Sequence, residues 1–383
     1  APGPETPGPV INALQDVDRL NSISEIVFRK PGGETWRFVR EEGRWKAADR
    51  FGYPADFEKI SNFLLALRRL KVGRRIPDDP ASLVRFGLAP ATEGGDTGAI
   101  EVVMKNAEGK EVASLRIGKE RYRSAPGGEE SWGGGFPEGR YLWAEGRAVL
   151  VMDTISELPM SLRDWLATEV ANVASYDIRE IEVTDADGRK LVLRRSDAFG
   201  ALSVPDLAPE EEMDTTKVNS LANALSWLHF DDVADPAKED GAMGFDRPTT
   251  VVMTLTNGVA YTVTVGGQRE GEGGRYIRVK ASYTSAPASD EAEGEEGQTK
   301  EAEKRKDEKK RGEEVKTFNS RHEGWTYVVS AYKMEAVSAD RAQFVKPKPP
   351  PAEEKKGEEE QKSEPPPPEK EEGKQAAEPL PAE

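Results

Sequence analysis

The chain of 383 residues is acidic, with a formal net charge of −16 at pH 7, and only 36% of its residues are hydrophobic. This length can hold two or three domains, but a charged content of 32% means that part of the chain cannot pack into a core. The acidic balance argues against a nucleic-acid partner, which needs clustered Lys and Arg side chains. The absence of cysteine excludes disulfides and thiolate metal sites.

The first segment, residues 1–14, is predicted to be a spacer because Pro and Gly dominate it. No stretch of the sequence reaches the roughly 18 to 20 consecutive apolar residues that a membrane-spanning helix requires. The sequence begins with Ala1 rather than Met, so we expect a processed or trimmed N-terminus from which a signal peptide or membrane anchor has been removed.

The next segment, residues 15–172, is predicted to form an α+β unit. From Ile23 onward, apolar and polar residues alternate around two glycine-containing turns, which predicts three short antiparallel strands. Residues 53–72 carry apolar side chains at helical spacing and predict an amphipathic helix that lies across the sheet. A short helix, further hairpin strands and a closing helix at residues 155–166, capped by Asp153 or Thr154, complete the unit.

The same order of elements recurs in residues 173–345. A hairpin that turns at Asp187-Gly188 precedes an amphipathic helix that contains Leu225 and Leu228, and further hairpin strands follow. Because the order of elements matches while their spacing drifts, the pattern favours duplication over chance. The predicted fold is therefore α+β, with two tandem copies of an antiparallel β-sheet unit that each contain one main amphipathic helix. Whether the two copies share one sheet stays open.

Two stretches break this pattern. Residues 285–316 are highly charged and almost free of large apolar side chains, so we predict a flexible, disordered insertion with transient helix at most. Residues 346–383 are rich in Pro, Glu and Lys and are predicted to form a disordered tail with local polyproline II structure.

The sequence contains no recognisable arrangement of catalytic, cofactor-binding or metal-binding residues, and we expect none of these sites. The two histidines, His229 and His322, do not form a metal-binding motif, and His229 is interpreted as a partly buried residue at a helix end. Asp185 and Asp187 resemble the start of a calcium loop. Because Ser196 stands where that loop requires a glutamate, a hairpin turn is the predicted role.

The candidate interaction surface consists of three aromatic residues near a glycine-rich loop: Trp132, Phe136 and Trp143. Exposed aromatic side chains of this kind recognise proteins or sugars. Core packing explains Trp143 equally well. Adjacent carboxylates such as Asp78 and Asp79 do not by themselves provide the separated acid and base that glycoside hydrolysis requires.

The order of several short motifs resembles the DUF4340 family of bacterial proteins. These motifs include "DPASLVRFGLAP", "LRIG", "GRYLWA" and "LRDWL", and the resemblance covers residues 15–345. It implies an envelope protein with an N-terminal membrane helix and an exterior repeat-containing domain, encoded beside ABC-type transport components that resemble those of gliding-motility systems. It supplies no catalytic residues, and we interpret Arg163 of the Leu-Arg-Asp motif as a structural residue that binds a carboxylate or a strand end.

These observations lead to two main functional hypotheses. The first is a non-enzymatic accessory or scaffold protein of the bacterial envelope, on the periplasmic side of the inner membrane, that binds an ABC-type permease, ATPase or auxiliary subunit. The alternative is a binding module for a cell-surface polysaccharide or cell-wall polymer that uses the aromatic residues near Trp132. A third class, a hydrolase that uses carboxylates, would have to show turnover of a substrate.

Overall fold

A computed structural model describes residues 8–92, 98–123, 136–197, 200–271, 273–284 and 295–348, with backbone only for residues 123, 136 and 295–304. The fold is α+β with mainly antiparallel sheets, as predicted. The described helices are α1 Val17–Ser22, α2 Phe57–Arg69, α3 Pro80–Arg85, α4 Thr215–Ala222, α5 Glu295–His322 and α6 Ala331–Met334.

The strands fall into two large sheets and two small pairs. Those before residue 172 are β1 Ile23–Arg29, β2 Thr35–Glu41, β3 Arg44–Ala47, β4 Tyr53–Pro54, β5 Arg74–Arg75, β6 Ile100–Asn106, β7 Glu111–Arg123, β8 Phe136–Ala144, β9 Arg147–Val151 and β10 Glu169–Ala171. The later ones are β11 Ile178–Thr184, β12 Lys190–Arg195, β13 Leu202–Ser203, β14 Glu211–Met213, β15 Leu228–His229, β16 Asp232–Val233, β17 Thr249–Leu255, β18 Val259–Gln268, β19 Arg275–Tyr283, β20 Tyr327–Val329 and β21 Val345–Pro347.

The two large sheets are separate and have the same strand order. The first runs β4-β3-β2-β1-β6-β7-β8-β9-β5 and the second runs β13-β12-β11-β17-β18-β19-β20-β16. Apart from the additional edge strand β4, each strand of the first sheet has a counterpart in the second. The central pair of each sheet also carries the same irregularity, a register shift one residue after the strand begins, at Ile23/Glu25 and at Ile178/Glu180. Such a shift bends a strand locally and is a specific feature of a fold.

A second shared detail is a close approach between a glycine and a backbone carbonyl. A Cβ atom on Gly118 would lie 2.5 Å from the Phe86 carbonyl oxygen, and one on Gly266 would lie 2.5 Å from the Met243 carbonyl oxygen. Both glycines lie at bulges between corresponding strands, β7 with β8 and β18 with β19. Only glycine fits such an approach. The agreement supports the predicted duplication.

The core of the first unit forms between α2 and the first sheet. Asp56 caps α2 by accepting hydrogen bonds from the amides of Glu58 and Lys59. The side chains at Ile60, Phe63, Leu64 and Leu67 are buried, and this apolar stripe is the one that the helical spacing predicts. Trp165 lies at the centre, with its ring 4.9 to 5.1 Å from the rings of Phe28, Phe38 and Phe63.

Each unit closes in the same way, by a contact between its helix start and its last segment. The amide of Asp56 donates to the Trp165 carbonyl at 2.7 Å, and the amide of Asp214, which caps α4, donates to the Phe344 carbonyl at 2.7 Å. Both Trp165 and Phe344 are buried. The end of each unit is therefore held to the start of its helix.

Two predictions about the ends of the globular part are wrong in detail. Residues 8–14 of the predicted spacer pack into the core, since Val10, Ile11 and Leu14 are at most 1% exposed. Residues 346 and 347 belong to β21, which pairs with β14. Residues 1–7 and 349–383 lie outside the described residues. The amide of Val10 also donates to the Leu70 carbonyl at 3.0 Å, so buried apolar side chains and a backbone contact anchor this Pro- and Gly-rich segment.

Two of the predicted helices also differ from those in the structure. The segment 155–166 forms turns and a short 3-10 helix, Leu162–Trp165, with Ser161 and Asp164 as a capping box, while Asp153 accepts a hydrogen bond from Ile155. Pro159 explains the failure, because it lacks an amide hydrogen and disfavours the helical conformation of the residue before it. The helix of the second unit ends at Ala222, so Leu225 and Leu228 are buried outside it and His229 lies in β15 rather than at a helix end.

The predicted insertion is helical over most of its length. Residues 295–316 belong to α5, whose last turns pack on the second sheet: Asn319 exchanges hydrogen bonds with the backbone of Ala281, and the Phe318 ring lies 5.1 Å from that of Tyr261. Residues 285–294 lie outside the described residues. The helix is therefore joined to the sheet near its C-terminal end.

Replacing Phe318 with alanine is expected to lower the free energy of unfolding by about 1 kcal/mol, since this half-buried ring loses its aromatic contact with Tyr261. Denaturant unfolding measures the change. Lys309→Ala, an exposed position on the same helix, serves as the control and should alter stability by less than about 0.5 kcal/mol. Equal stability of both variants would contradict docking of α5 through Phe318.

Candidate functional site

The three aromatic residues predicted as an interaction surface do not form one described surface. Trp132 lies outside the described residues, so its role stays a prediction. Phe136 begins β8 opposite Arg123. Trp143 lies further along β8, is half-buried, packs against a small core cluster and has the Arg116 guanidinium 5.2 Å from its ring centroid. Trp143 therefore has a packing role in the sheet.

The junction between the two units is an aromatic cluster. Tyr53 of the first sheet lies 5.1 Å from Phe230 and 4.9 Å from Trp325, while Phe230 stacks on Tyr327 at 5.3 Å. Tyr53, Phe230 and Tyr327 are at most 1% exposed, and burial raises the pKa of both tyrosines above its ordinary value. The Tyr53 hydroxyl donates to the carbonyl of Ala167 at 3.1 Å. The phenols are thus held neutral within a continuous core that both units share.

Charged side chains surround this cluster and also cross the junction. Arg163 donates from Nε to the Phe230 carbonyl at 2.9 Å and pairs with Asp231 at 3.4 Å. Arg50 of the first unit pairs with Asp232 of the second at 3.1 Å. Arg163 therefore has the structural role that the Leu-Arg-Asp motif suggested, and the contact joins the two copies of the fold.

A cleft of about 350 Å³ opens at the junction beside Asp232. Arg50, Arg269 and Lys238 bring positive charge to it, and Asp232 is paired with both arginines. Phe51 lies at its edge, 47% exposed, with a left-handed backbone conformation at φ 58. Non-glycine residues seldom adopt this conformation, and it is frequent at functional positions. Because Asp232 and Asp235 also line the cleft, three basic side chains face two acidic ones there.

A larger groove of about 530 Å³ lies on the second unit between α4 and α6. Tyr332 borders it and is 79% exposed. The lining also includes three charged side chains, Lys217, Lys333 and Glu335, and five amides or hydroxyls: Thr216, Asn219, Ser220, Asn223 and Gln343. An exposed aromatic ring with nearby amide and hydroxyl groups can stack on a sugar ring and hydrogen bond to its hydroxyls.

Trp227 is a further exposed aromatic residue, three residues after Ala224, which lines this groove. It is 67% exposed at φ 48, and it follows Ser226, whose carbonyl accepts a hydrogen bond from Lys333 at 2.9 Å. The sequence predicts Trp227 to lie within the second amphipathic helix, between Leu225 and Leu228, but α4 ends at Ala222. The local pattern contains no signal for the exposure of Trp227, because it stands beside the buried Leu228.

The carboxylates and the histidine that the sequence analysis considered for chemistry, Asp79, Asp185 and His322, form contacts that stabilise the fold. Asp79 caps α3, and a hydrogen bond with Ser82 lowers the pKa of its carboxyl group. Asp185 accepts hydrogen bonds from the amides of Asp187 and Arg189 in the hairpin turn that the sequence predicted. His322 is 2% exposed and lies 2.7 Å from the Tyr327 hydroxyl. Throughout the described ranges, no group of three or more His, Asp or Glu side chains is arranged to hold a metal ion.

Comparison with known proteins identifies the family. No curated protein and no solved structure matches the chain. In the part of the chain that the structure describes, no helix is long and apolar enough to cross a membrane. The family model described as a domain of unknown function, DUF4340, matches residues 45–125 and 132–248, which together make up more than half of the chain. The matched segments include the junction residues Tyr53 and Phe230. The chain therefore belongs to the DUF4340 family.

Proposed function

We propose that this protein is a non-enzymatic accessory or scaffold protein on the periplasmic side of the bacterial cell envelope, bound to an ABC-type membrane complex through a permease, ATPase or auxiliary subunit. The observation that supports the proposal is the junction, where Tyr53 enters an aromatic cluster of the second unit and Arg50 pairs with Asp232. A scaffold needs binding surfaces held in a fixed relative position, and a buried core shared by two units provides this.

The exposed side chains around this framework supply contact points. Phe51 lies at the edge of the junction cleft, and Met160 and Trp227 are 74% and 67% exposed on the first and second units. Large exposed apolar side chains are common anchors of protein interfaces, where aromatic residues and methionine are enriched. A partner could therefore contact either unit or span both.

Crosslinking in native membranes tests this proposal. A photo-reactive residue is placed at Phe51, Met160 or Trp227, and the crosslinked proteins are identified by mass spectrometry. We expect permease or ATPase subunits of an ABC-type system from at least one position. Recovery of no such subunit from any of the three positions would contradict the proposal.

A variant pair tests the contribution of the junction. Arg50→Glu places a second carboxylate beside Asp232 and should lower the yield of crosslinked partner, because repulsion changes the relative position of the two units. Lys306→Glu makes the same charge change at an exposed site on α5 and should preserve the yield. Equal yields from both variants would show that the junction is not required for binding.

A second candidate function, binding of a cell-surface polysaccharide or cell-wall polymer, is supported by the groove beside Tyr332. Its amide and hydroxyl lining provides both donors and acceptors for sugar hydroxyls. Polysaccharide pull-downs and glycan arrays should then show binding by the wild type that is lost in Tyr332→Ala. Tyr176→Ala, at a tyrosine that is 75% exposed but does not line the groove, is the control.

The same assay separates this groove from the surface predicted at Trp132. Loss of binding in Trp132→Ala but not in Tyr332→Ala would assign recognition to the glycine-rich loop. Negligible binding by the wild type and both variants would reject the polymer-binding function altogether.

A further inference from the structure

Five basic residues lie close together in the sequence, from the end of α2 to β5, namely Arg68, Arg69, Lys71, Arg74 and Arg75, here called the basic patch. Arg68 is half-buried and the other four are exposed. The chain as a whole has a net charge of −16, so a local cluster of five basic residues departs from its average composition. The residues span only eight positions, which limits their separation to roughly 25 Å even in an extended chain.

None of the five side chains of the basic patch forms an ion pair with a carboxylate of the described residues. Arg68 donates a long hydrogen bond to the Gln15 carbonyl at 3.5 Å, and Arg69 donates to the Leu65 carbonyl at 3.2 Å, but a carbonyl brings no net charge. In contrast, Arg147 on the adjoining strand β9 pairs with Glu145. Like charges at close range repel each other, so an anionic partner would stabilise the patch.

An apolar groove adjoins the basic patch. It has a volume of about 510 Å³ and is lined by Pro9, Leu65 and Leu70 together with the basic side chains at the end of α2. Leu65 is 41% exposed. Met152, which is 55% exposed, follows β9 and lies against Gly73, which stands between Lys71 and Arg74 in the sequence. Exposed apolar side chains therefore lie next to the basic residues at Leu65 and at Met152.

We propose that the basic patch binds an anionic phospholipid surface, with lipid phosphates at the Arg and Lys side chains and with Leu65 and Met152 inserted between the headgroups. Basic residues near an anionic membrane contribute attraction in proportion to their number, and neighbouring apolar side chains add a hydrophobic contribution. An acidic polypeptide would use the cations but would leave the exposed Leu65 and Met152 without a role.

The charge of the remaining protein determines its orientation on such a surface. Because the chain is strongly acidic as a whole, an anionic bilayer repels most of its surface and attracts the basic patch. The protein therefore binds with the end of α2 and the edge strand β5 facing the lipid. This surface belongs to the first unit and is distinct from the junction cleft and from the groove beside Tyr332.

Vesicle flotation tests the proposal with phosphatidylcholine vesicles that contain or lack phosphatidylglycerol. We expect the wild type to bind only the vesicles with phosphatidylglycerol and to dissociate as salt is raised. Arg74→Glu/Arg75→Glu should lower binding by at least about tenfold. Lys306→Glu/Lys309→Glu, which makes the same charge change at exposed positions on α5, should lower it by less than about twofold.

A further variant tests the apolar contribution. Leu65→Asn keeps the charge of the patch and should weaken vesicle binding severalfold, and thermal unfolding confirms that each variant remains folded. No binding of the wild type to phosphatidylglycerol vesicles would overturn the proposal, as would equal losses in the two charge-reversal variants. Binding to polyglutamate without binding to vesicles would assign the basic patch to an acidic polypeptide instead and would also overturn it.

Discussion

Replacing Trp165 with alanine is expected to destabilise the protein by about 3 to 5 kcal/mol, the usual range for removing a fully buried large aromatic side chain. Trp165 is 2% exposed, and its ring contacts Phe28, Phe38 and Phe63 from two sides of the core. Alanine would leave a cavity where a sheet, a helix and the closing segment of the first unit meet. The backbone there cannot collapse easily, because the Trp165 carbonyl is bound to the amide of Asp56.

Denaturant unfolding measures this loss, and Trp227 offers a matched control. Trp227→Ala removes the same side chain from a position that is 67% exposed, so the free energy of unfolding should change by less than about 0.5 kcal/mol. A change in Trp165→Ala as small as that of the control would contradict the central position of Trp165. A similar large loss in both variants would instead show that Trp227 is covered in solution.

The sheets were the most predictable part of the fold. Alternation of apolar and polar residues around glycine-containing turns is a local signal, and hairpins follow from it directly. The match between Gly87 and Gly244 could also be read from sequence order, and both residues have a positive φ. The sequence alone could not decide whether the copies share a sheet, since that depends on contacts such as Tyr53 with Phe230 that are far apart in the chain.

The helices were less predictable because helical spacing does not determine where a helix ends. The second amphipathic pattern continues to Leu228, but that residue and His229 pair with β10 instead. A strand pairing of this kind is a tertiary contact that overrides local propensity.

The prediction of disorder for the segment that forms α5 was wrong for a related reason. A charged segment with few apolar residues has too little surface to bury and is predicted to be disordered. In the structure a few side chains near its C-terminal end, such as Phe318 and Asn319, attach the helix to the sheet. The same limit applies to the exposed aromatics and to the basic patch, because a local pattern contains no measure of exposure or of ion-pair partners.

Lowering the pH from about 7 to about 5 is expected to reduce the free energy of unfolding by about 1 to 2 kcal/mol through His322. Burial and the neighbouring positive charge of Arg321 lower the pKa of His322 from 6.5 to about 4. The unfolded chain therefore binds a proton below pH 6.5 that the folded protein accepts only near pH 4. The stabilisation from the neutral imidazole is fully present above the unfolded pKa and is lost as the pH falls toward the folded one.

Unfolding curves of the wild type and of His322→Gln at the two pH values test this expectation. The variant should lose stability at neutral pH, because the ring contacts of His322 with Phe318 and Tyr327 disappear, but it should show a smaller difference between the two pH values. His229→Gln replaces the other histidine and should retain the wild-type difference, since His322 is intact in it. A pH difference in His322→Gln equal to that of the wild type would assign the acid sensitivity to other groups.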